Sequence, residues 1–366
     1  MRVLFDHQIF SRQVVGGVSR LFVELVKEFR NNPQFEIEAD ISVKISNNIY
    51  LRDLYQTQQF LPSKNTVFHR KIFSFINSLK NIEEIKSKKY DIFHPTYFDP
   101  YFIKYLSEMP FVLTIYDMIH EIYPENRGLM DKTIEWKKYL ANKANHIIAI
   151  SENTKKDIMR ILGINEKKIS VVYIPSSLSS AKSSSKSGVS TLPKKYILYV
   201  GQRGGYKNFV TLLEAFMQLS PQYEEFVLFC VGGDFSKEEM QHISSYNLEE
   251  KVLACRLSDS ELISAYRNAE VFVYPSLYEG FGIPPLEAME NSCPVVASNV
   301  SSIPEVCAEA ALYFDPSSIE DLKKQLTKIL NNNKLRKEMI KKGIKRSKAF
   351  SWKQSAEKLS FVYKNL

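Results

Sequence analysis

The stretch YPSLYEGFGIPPLEAMENSCPVVAS, Tyr274 to Ser298, carries two acids, Glu279 and Glu287, with seven residues between them, in a run that is glycine-rich and then proline-rich. Gly280 and Gly282 let backbone amides approach a ligand closely, because no Cβ stands in the way. Pro284 and Pro285 suit the opening of a helix, where a missing amide hydrogen costs least, and this places Glu287 in the first turn. Strand, glycine turn and helix N-terminus together make an anion site. Two carboxylates beside it repel a lone phosphate, whereas each sugar hydroxyl can donate to a carboxylate. The pattern therefore points to a ligand with both phosphate and sugars. Helix capping by Glu287 and a solvent-exposed loop position for Glu279 are the plain alternatives.

The segment YVGQRGGYKNF sets Arg203 and Lys207 after a strand, among Gly201, Gly204 and Gly205, where two cations reach a diphosphate. Solvated loop charges are the competing reading. VVGGVSRLFVEL places Gly16 and Gly17 at a strand-to-helix turn, a second backbone anion site, although a Gly-Gly pair equally marks ordinary loop geometry. TIYDMIHEIYP follows the strand at 111 and turns Tyr116, Asp117 and His120 toward a cleft, with a core role open for His120. Arg256 follows KVLAC, where a solvated side chain is the plain reading. His7, His94 and His146 lie in strand contexts and read as structural.

These groups need elements to hold them. Apolar runs RVLF, DIFH, FVLTIY, HIIAI and ISVVYI alternate with helical patterns through the first half, and YILYV, FVLFCV, KVLAC, VFVYP and PVVAS repeat the alternation in the second. Such alternation implies parallel strands with crossover helices. The serine-rich run 176–195 has no apolar period and reads as a linker. The expected organisation is α/β: residues 1–175 with 351–366 as one Rossmann-like domain and 196–350 as another. Two such open sheets bind ligands at the carboxyl ends of their strands, facing a cleft.

The chain has 366 residues, net charge +8 and four cysteines without CxxC spacing, which argues for reduced core thiols. No apolar run is long enough to span a membrane, and MRVLFDHQIF lacks the order of a signal peptide, so the expected location is cytoplasmic. No nucleic-acid-binding motif appears. Phe68 to Tyr90 interleaves basic and large apolar residues as a membrane-surface helix does, with Arg70, Lys71, Lys80, Lys86, Lys88 and Lys89 as contacts for anionic lipid. A helix with an ordinary solvated basic face has the same composition.

Glu279-Gly-Phe-Gly-Ile-Pro-Pro-Leu-Glu287 resembles the E-x7-E motif of the retaining glycosyltransferases of family 4, which have the GT-B fold of two doubly wound domains. NAEVFVYPS before it and AMENSCPVVASNVSSIPEVCAEAALYFDP after it are similar to the same family. FDHQIFSRQVVGGVSRLF, HPTYFDPYF, YDMIHEIYP and HIIAISENTKKDI resemble a branch that includes mannosyltransferases of bacterial O-polysaccharide assembly. The resemblance implies that Glu287 holds ribose hydroxyls and Glu279 donor-sugar hydroxyls, while Phe281, Gly282 and Ile283 offer amides. It also implies that Arg203 and Lys207 neutralise the leaving diphosphate, with Gly16, Gly17 and Arg256 as further donor contacts and Asp117 and His120 beside the sugar. No D-x-D pair occurs, and the expected transferase uses no metal and no cofactor. Its substrates would be a GDP- or UDP-linked sugar and a glycan acceptor, often lipid-linked, at the inner face of the membrane. A nucleotide-sugar epimerase of the same fold and a non-catalytic nucleotide-sugar-binding protein are the alternatives. A Rossmann dehydrogenase is disfavoured, because neither half carries the dinucleotide fingerprint.

Overall fold

The computed structural model describes residues 1–55, 67–126, 131–178 and 192–366. Residues 179–191, the bulk of the expected linker, lie outside the described residues, as does the side chain of Phe68. The chain divides into two compact units, Met1–Ile174 with Ser351–Leu366, and Pro175–Phe350.

Among its described residues the first unit has six strands: β1 (Arg2–Phe5), β2 (Glu38–Ile41), β3 (Ile92–His94), β4 (Val112–Ile115), β5 (His146–Ala149) and β6 (Ile169–Val171). They run in the orders β2-β1-β3 and β4-β5-β6, and a single parallel bridge from Phe93 to Phe111 joins the two sets. β1, β3 and β4 are almost wholly buried, as the short uninterrupted apolar runs require of parallel strands covered on both faces. The C-terminal helix Trp352–Lys364 starts at Ser351, whose side chain accepts from the amide of Gln354, and it packs on the helix Gly17–Asn31. Buried Tyr363 anchors it through a 2.6 Å hydrogen bond between its hydroxyl and His94 Nδ1.

The second unit has β7 (Tyr196–Val200), β8 (Val227–Val231), β9 (Val252–Cys255), β10 (Val271–Tyr274), β11 (Val295–Ser298) and β12 (Ala311–Phe314), in the order β12-β11-β10-β7-β8-β9. Every pairing between these strands is parallel. The crossover helix Phe209–Leu219 buries Phe209, Leu212, Leu213, Phe216 and Leu219, one face at helical spacing. Each such side chain contributes about 1.5–3 kcal/mol on burial. Gly232 lets the loop after β8 touch the loop after β7: a Cβ there would stand 2.1 Å from the carbonyl oxygen of Gly201.

All ten strands expected from the apolar runs are present. β2 and β12 have no counterpart in the sequence reading. Each is a four-residue edge strand with only two buried side chains, too short and too wet to stand out by pattern. The four cysteines are unpaired, with Cys230, Cys293 and Cys307 buried.

Candidate active site

In the second unit the strand order reverses between β7 and β10, which lie side by side. Open α/β sheets take ligands at such a switch point, outside the carboxyl ends of the strands. Lys207 stands on the loop leaving β7 and Glu279 on the loop leaving β10. They meet there: Lys207 Nζ lies 2.8 Å from Glu279 Oε1. Glu279 is only 7% exposed, and a carboxylate so far out of water needs a cation or donors beside it.

The loops that carry this pair are tied to each other. The amide of Leu277 donates to the carbonyl of Tyr206 at 2.7 Å. Asn208, in the left-handed region at φ 56, donates from Nδ2 to the carbonyls of Pro275 and Pro316 at 3.0 and 2.9 Å. Ser301 Oγ accepts from the amide of Glu279. Buried Ser302 Oγ lies 2.9 and 2.8 Å from the carbonyl oxygens of Glu279 and Phe281 and shares its proton between them. The ring of Phe281 is buried edge-on against Phe350. Gly282 then turns the chain at φ +112, a conformation that side chains rarely adopt. Its turn starts the helix Ile283–Glu290 and leaves the amides of Gly282 and Ile283 at the open helix end.

Glu287 needs a correction. The helix begins at Ile283, one residue before the prolines, because proline is tolerated throughout the first turn. Glu287 is therefore the fifth helical residue, in the second turn and not the first. Its Oε2 instead accepts a 3.1 Å hydrogen bond from the hydroxyl of Tyr266, which is fully buried on the helix Asp259–Asn268. Burial, and then the carboxylate of Glu287, push the phenol well above its usual pKa, so it stays a donor. Tyr274, at the end of β10, is likewise pushed up by burial and by the neighbouring carboxylate of Glu279. Sequence reasoning passed over both tyrosines, since an aromatic in an apolar run signals core and its hydroxyl partner is invisible.

Arg203 is held within the protein. Its guanidinium does not stand free for a ligand: Nε donates to Glu239 Oε1 at 2.9 Å, Nη2 to the carbonyl of Asp234 at 2.6 Å, and the group lies over the ring of Phe235. The physical cause is burial, because a cation this enclosed must find an acceptor within the protein. Nη1 remains buried without a partner among the described residues. Arg256 is exposed and its guanidinium lies against Gly233, where a Cβ would come within 3.1 Å of Nη2.

In the first unit the reversal falls between β1 and β3, and a fully buried acid closes it. Asp6 accepts from the amide and hydroxyl of Thr96 at 2.8 and 2.6 Å and from Gln8 Nε2 at 2.7 Å. Burial raises its pKa against these bonds. Gly16 and Gly17 are not at a strand-to-helix turn: the short helix Gln8–Arg12 intervenes. The side-chain carbonyl of Gln13 folds over Gly16 and accepts from the amide of Ser19 at 3.3 Å, so a neutral group occupies an amide at this helix start.

Tyr116 is buried rather than turned outward, its hydroxyl donating to the carbonyl of Thr96 at 2.8 Å. Asp117 is half-buried, with Oδ1 accepting from the amide of Ile119 at 3.0 Å. Lys137 braces this turn, donating to the carbonyl of Asp117 and pairing with Glu121 at 2.9 Å, both side chains buried. His120 Nε2 is 3.8 Å from Asp131, and its Nδ1 is buried without a partner among the described residues. His7 and His94 are structural: each is buried and bonded through both ring nitrogens. No cluster of metal-ligating side chains occurs among the described residues.

Residues 15–175 match the family model described as Glycosyltransferase Family 4, and residues 181–346 match Glycosyl transferases group 1. The serotype-specific mannosyltransferase WbdA of Escherichia coli is 27% identical over 241 residues, a match covering 62% of this chain and 29% of that protein's length. The O-antigen chain mannosyltransferase B of the same species is 27% identical over 267 residues, 67% of each chain. Among solved structures, Anabaena Alr3699/HepE in complex with UDP-glucose superposes with a TM-score of 0.74 at 16% identity, covering 100% of both chains. At that identity the likeness speaks for the GT-B fold alone. The two family models follow one another along the sequence, one in each unit, and the chain belongs to family 4 of the glycosyltransferases.

Proposed function

We propose that this chain transfers a hexosyl group, with retention, from a nucleoside diphosphate sugar to a glycan acceptor, lipid-linked, in surface polysaccharide synthesis. The observation that carries the reading is the meeting of Lys207 and Glu279 at the switch point of the second unit, with Glu287 on the adjoining helix. Mannose as the sugar, from a GDP-linked donor, rests on the two mannosyltransferase relatives. The UDP-glucose complex of HepE keeps a UDP-linked donor as the other choice.

In this reading Glu287 accepts from the ribose hydroxyls, and Tyr266 orients its carboxylate. Glu279 accepts from hydroxyls of the sugar. Those hydroxyls replace Lys207 at the carboxylate, and the freed ammonium meets the diphosphate. The acceptor oxygen bonds to the anomeric carbon on the face from which the phosphate leaves, the carbon–phosphate-oxygen bond breaks, and the acceptor proton passes to the departing phosphate. The chain then supplies position and fixed positive charge. Arg203 joins Lys207 only if it leaves Glu239. Asp117 and His120 of the first unit keep their proposed contacts with the sugar, to be tested as Asp117→Asn and His120→Gln.

The test is a screen of nucleotide sugars for thermal stabilisation, since a ligand at about 100 times its Kd adds roughly 2.7 kcal/mol. Sugar transfer from the stabilising donor to an oligosaccharide follows. Stabilisation with epimerised donor and no need of an acceptor would replace the reading with an epimerase, and stabilisation without turnover with a sensor.

A further inference from the structure

The helix Val67–Lys86 of the first unit is inside out. Its buried face carries two asparagines, Asn77 and Asn81, together with Phe73 and Ile85. Asn77 Oδ1 accepts from the amides of Lys44 and Ile45 at 2.8 and 3.0 Å, and Asn81 Oδ1 accepts from the hydroxyl of Tyr101 at 2.6 Å. The opposite face presents Ile72, Phe75 and Leu79 to solvent at 38%, 65% and 55% exposure. With Ile82 they follow one another at the spacing of a single helical stripe. Scattered apolar residues on a surface are ordinary, but a contiguous patch with a charged rim marks an interaction site.

The patch is also concave. Phe75, Leu79 and Ile82 form one wall of a groove of about 790 Å³, and Tyr105, Trp136 and Tyr139 contribute to the rest. Cations stand at both ends. Arg70 and Lys71 are exposed before the stripe, and Lys86, Lys88 and Lys89 are exposed after it. The ammonium groups of Lys86 and Lys104 lie 5.1 and 5.0 Å from the ring centre of Tyr105, at the edge of the groove. The acids among them are few: Asp99 lines the groove with one carboxylate oxygen already taken by the amide of Tyr101, and Glu83 and Glu135 are exposed.

We infer that this face docks on an anionic phospholipid surface, the aliphatic and aromatic side chains entering the acyl boundary while the lysines and Arg70 meet the headgroups. Tyrosine and tryptophan beside lysine at the edge of an apolar stripe are the side chains that a bilayer interface accommodates, one end greasy and the other wet. A second copy of the chain is a poor occupant, because a two-fold contact through this patch sets lysines against lysines. The docking is peripheral: no described helix is long and apolar enough to cross a membrane. It stands independently of the transfer reading, since no donor or acceptor enters the assay.

The experiment is sedimentation of the full chain with vesicles of phosphatidylcholine alone and of phosphatidylcholine mixed with phosphatidylglycerol, at low and high salt. Wild type should bind only the mixed vesicles and release them as salt rises. Lys86→Gln with Lys104→Gln should weaken binding roughly tenfold or more, and Phe75→Ser with Leu79→Ser should weaken it comparably. The four side chains lie at the surface, so an unchanged thermal midpoint checks that each variant is folded. Wild type that ignores anionic vesicles overturns the inference. So does an apolar variant that binds like wild type, which would leave only unspecific attraction of charges. A concentration-dependent dimer abolished by the apolar pair would assign the face to a second copy instead.

Discussion

Lys207 Nζ and Glu279 Oε1 stand 2.8 Å apart, so the cation assigned to the leaving diphosphate and the acid assigned to the sugar satisfy each other's charge. The lysine side chain is 19% exposed and so partly screened, and the acid side chain, at 9%, less so. Removing one partner takes the opposite charge away from the other. Lys207→Ala and Glu279→Gln should each cost stability, and the double variant should lose less than the sum, with a coupling of about 0.5–3 kcal/mol. Urea denaturation of the four proteins measures it, and strict additivity would mean that the contact contributes nothing.

The two acids should separate in kinetics. A ribose contact is made in both ground and transition states, so Glu287→Gln should raise the Kd for the nucleotide. Glu279→Gln should mainly lower kcat. Equal, small effects would return both acids to structural roles.

In the proposed reading Tyr266 acts on the nucleotide through Glu287. Tyr266→Phe deletes one hydrogen bond, of a kind that contributes about 0.5–1.5 kcal/mol, and should weaken nucleoside diphosphate binding by a few-fold in calorimetry. In a Glu287→Gln background the same change should do little. If Tyr266→Phe weakens binding equally in both backgrounds, the tyrosine acts by packing alone.

Activity should survive EDTA, because the proposed reading sets Lys207, and not a metal, against the diphosphate. Lys207→Ala should then lose about 3 kcal/mol of transition-state stabilisation, by analogy with other charge-stabilising donors. Complete loss with EDTA and recovery with manganese would refute the assignment.

Acid should weaken the first unit through its histidines. Burial pushes His94 down to about 3 and His7 down to about 4. Both are neutral in the folded chain at pH values where the unfolded chain, near 6.5, takes up a proton. Stability is therefore whole above about pH 6.5 and falls as pH drops toward 4, by up to about 1.4 kcal/mol per pH unit for each histidine. Asp6, whose carboxyl burial pushes up, works in the opposite sense, because it holds its proton more tightly when folded. His94→Gln should flatten the slope of stability against pH over this window. An unchanged slope would show that His94 does not carry it.

What the sequence by itself determined is the class of fold and the pair of acids. Parallel strands buried on both faces must be uninterrupted apolar runs, so RVLF, YILYV and VFVYP announce themselves. Glu279, Gly280 and Gly282 are legible as a candidate site, because a loop that brings backbone close to a ligand needs glycine at fixed positions. What only the tertiary structure decided is pairing. Lys207 and Glu279 are 72 residues apart in the chain, Tyr266 and Glu287 are 21, and Arg203 and Glu239 are 36. No local pattern encodes those meetings, because strand order, and not chain order, sets which loops share an edge of the sheet. The same holds for the helix Val67–Lys86: its composition allows either face to be wet, and the partners offered to Asn77 and Asn81 from other elements turned the asparagines inward and left Phe75 and Leu79 outside.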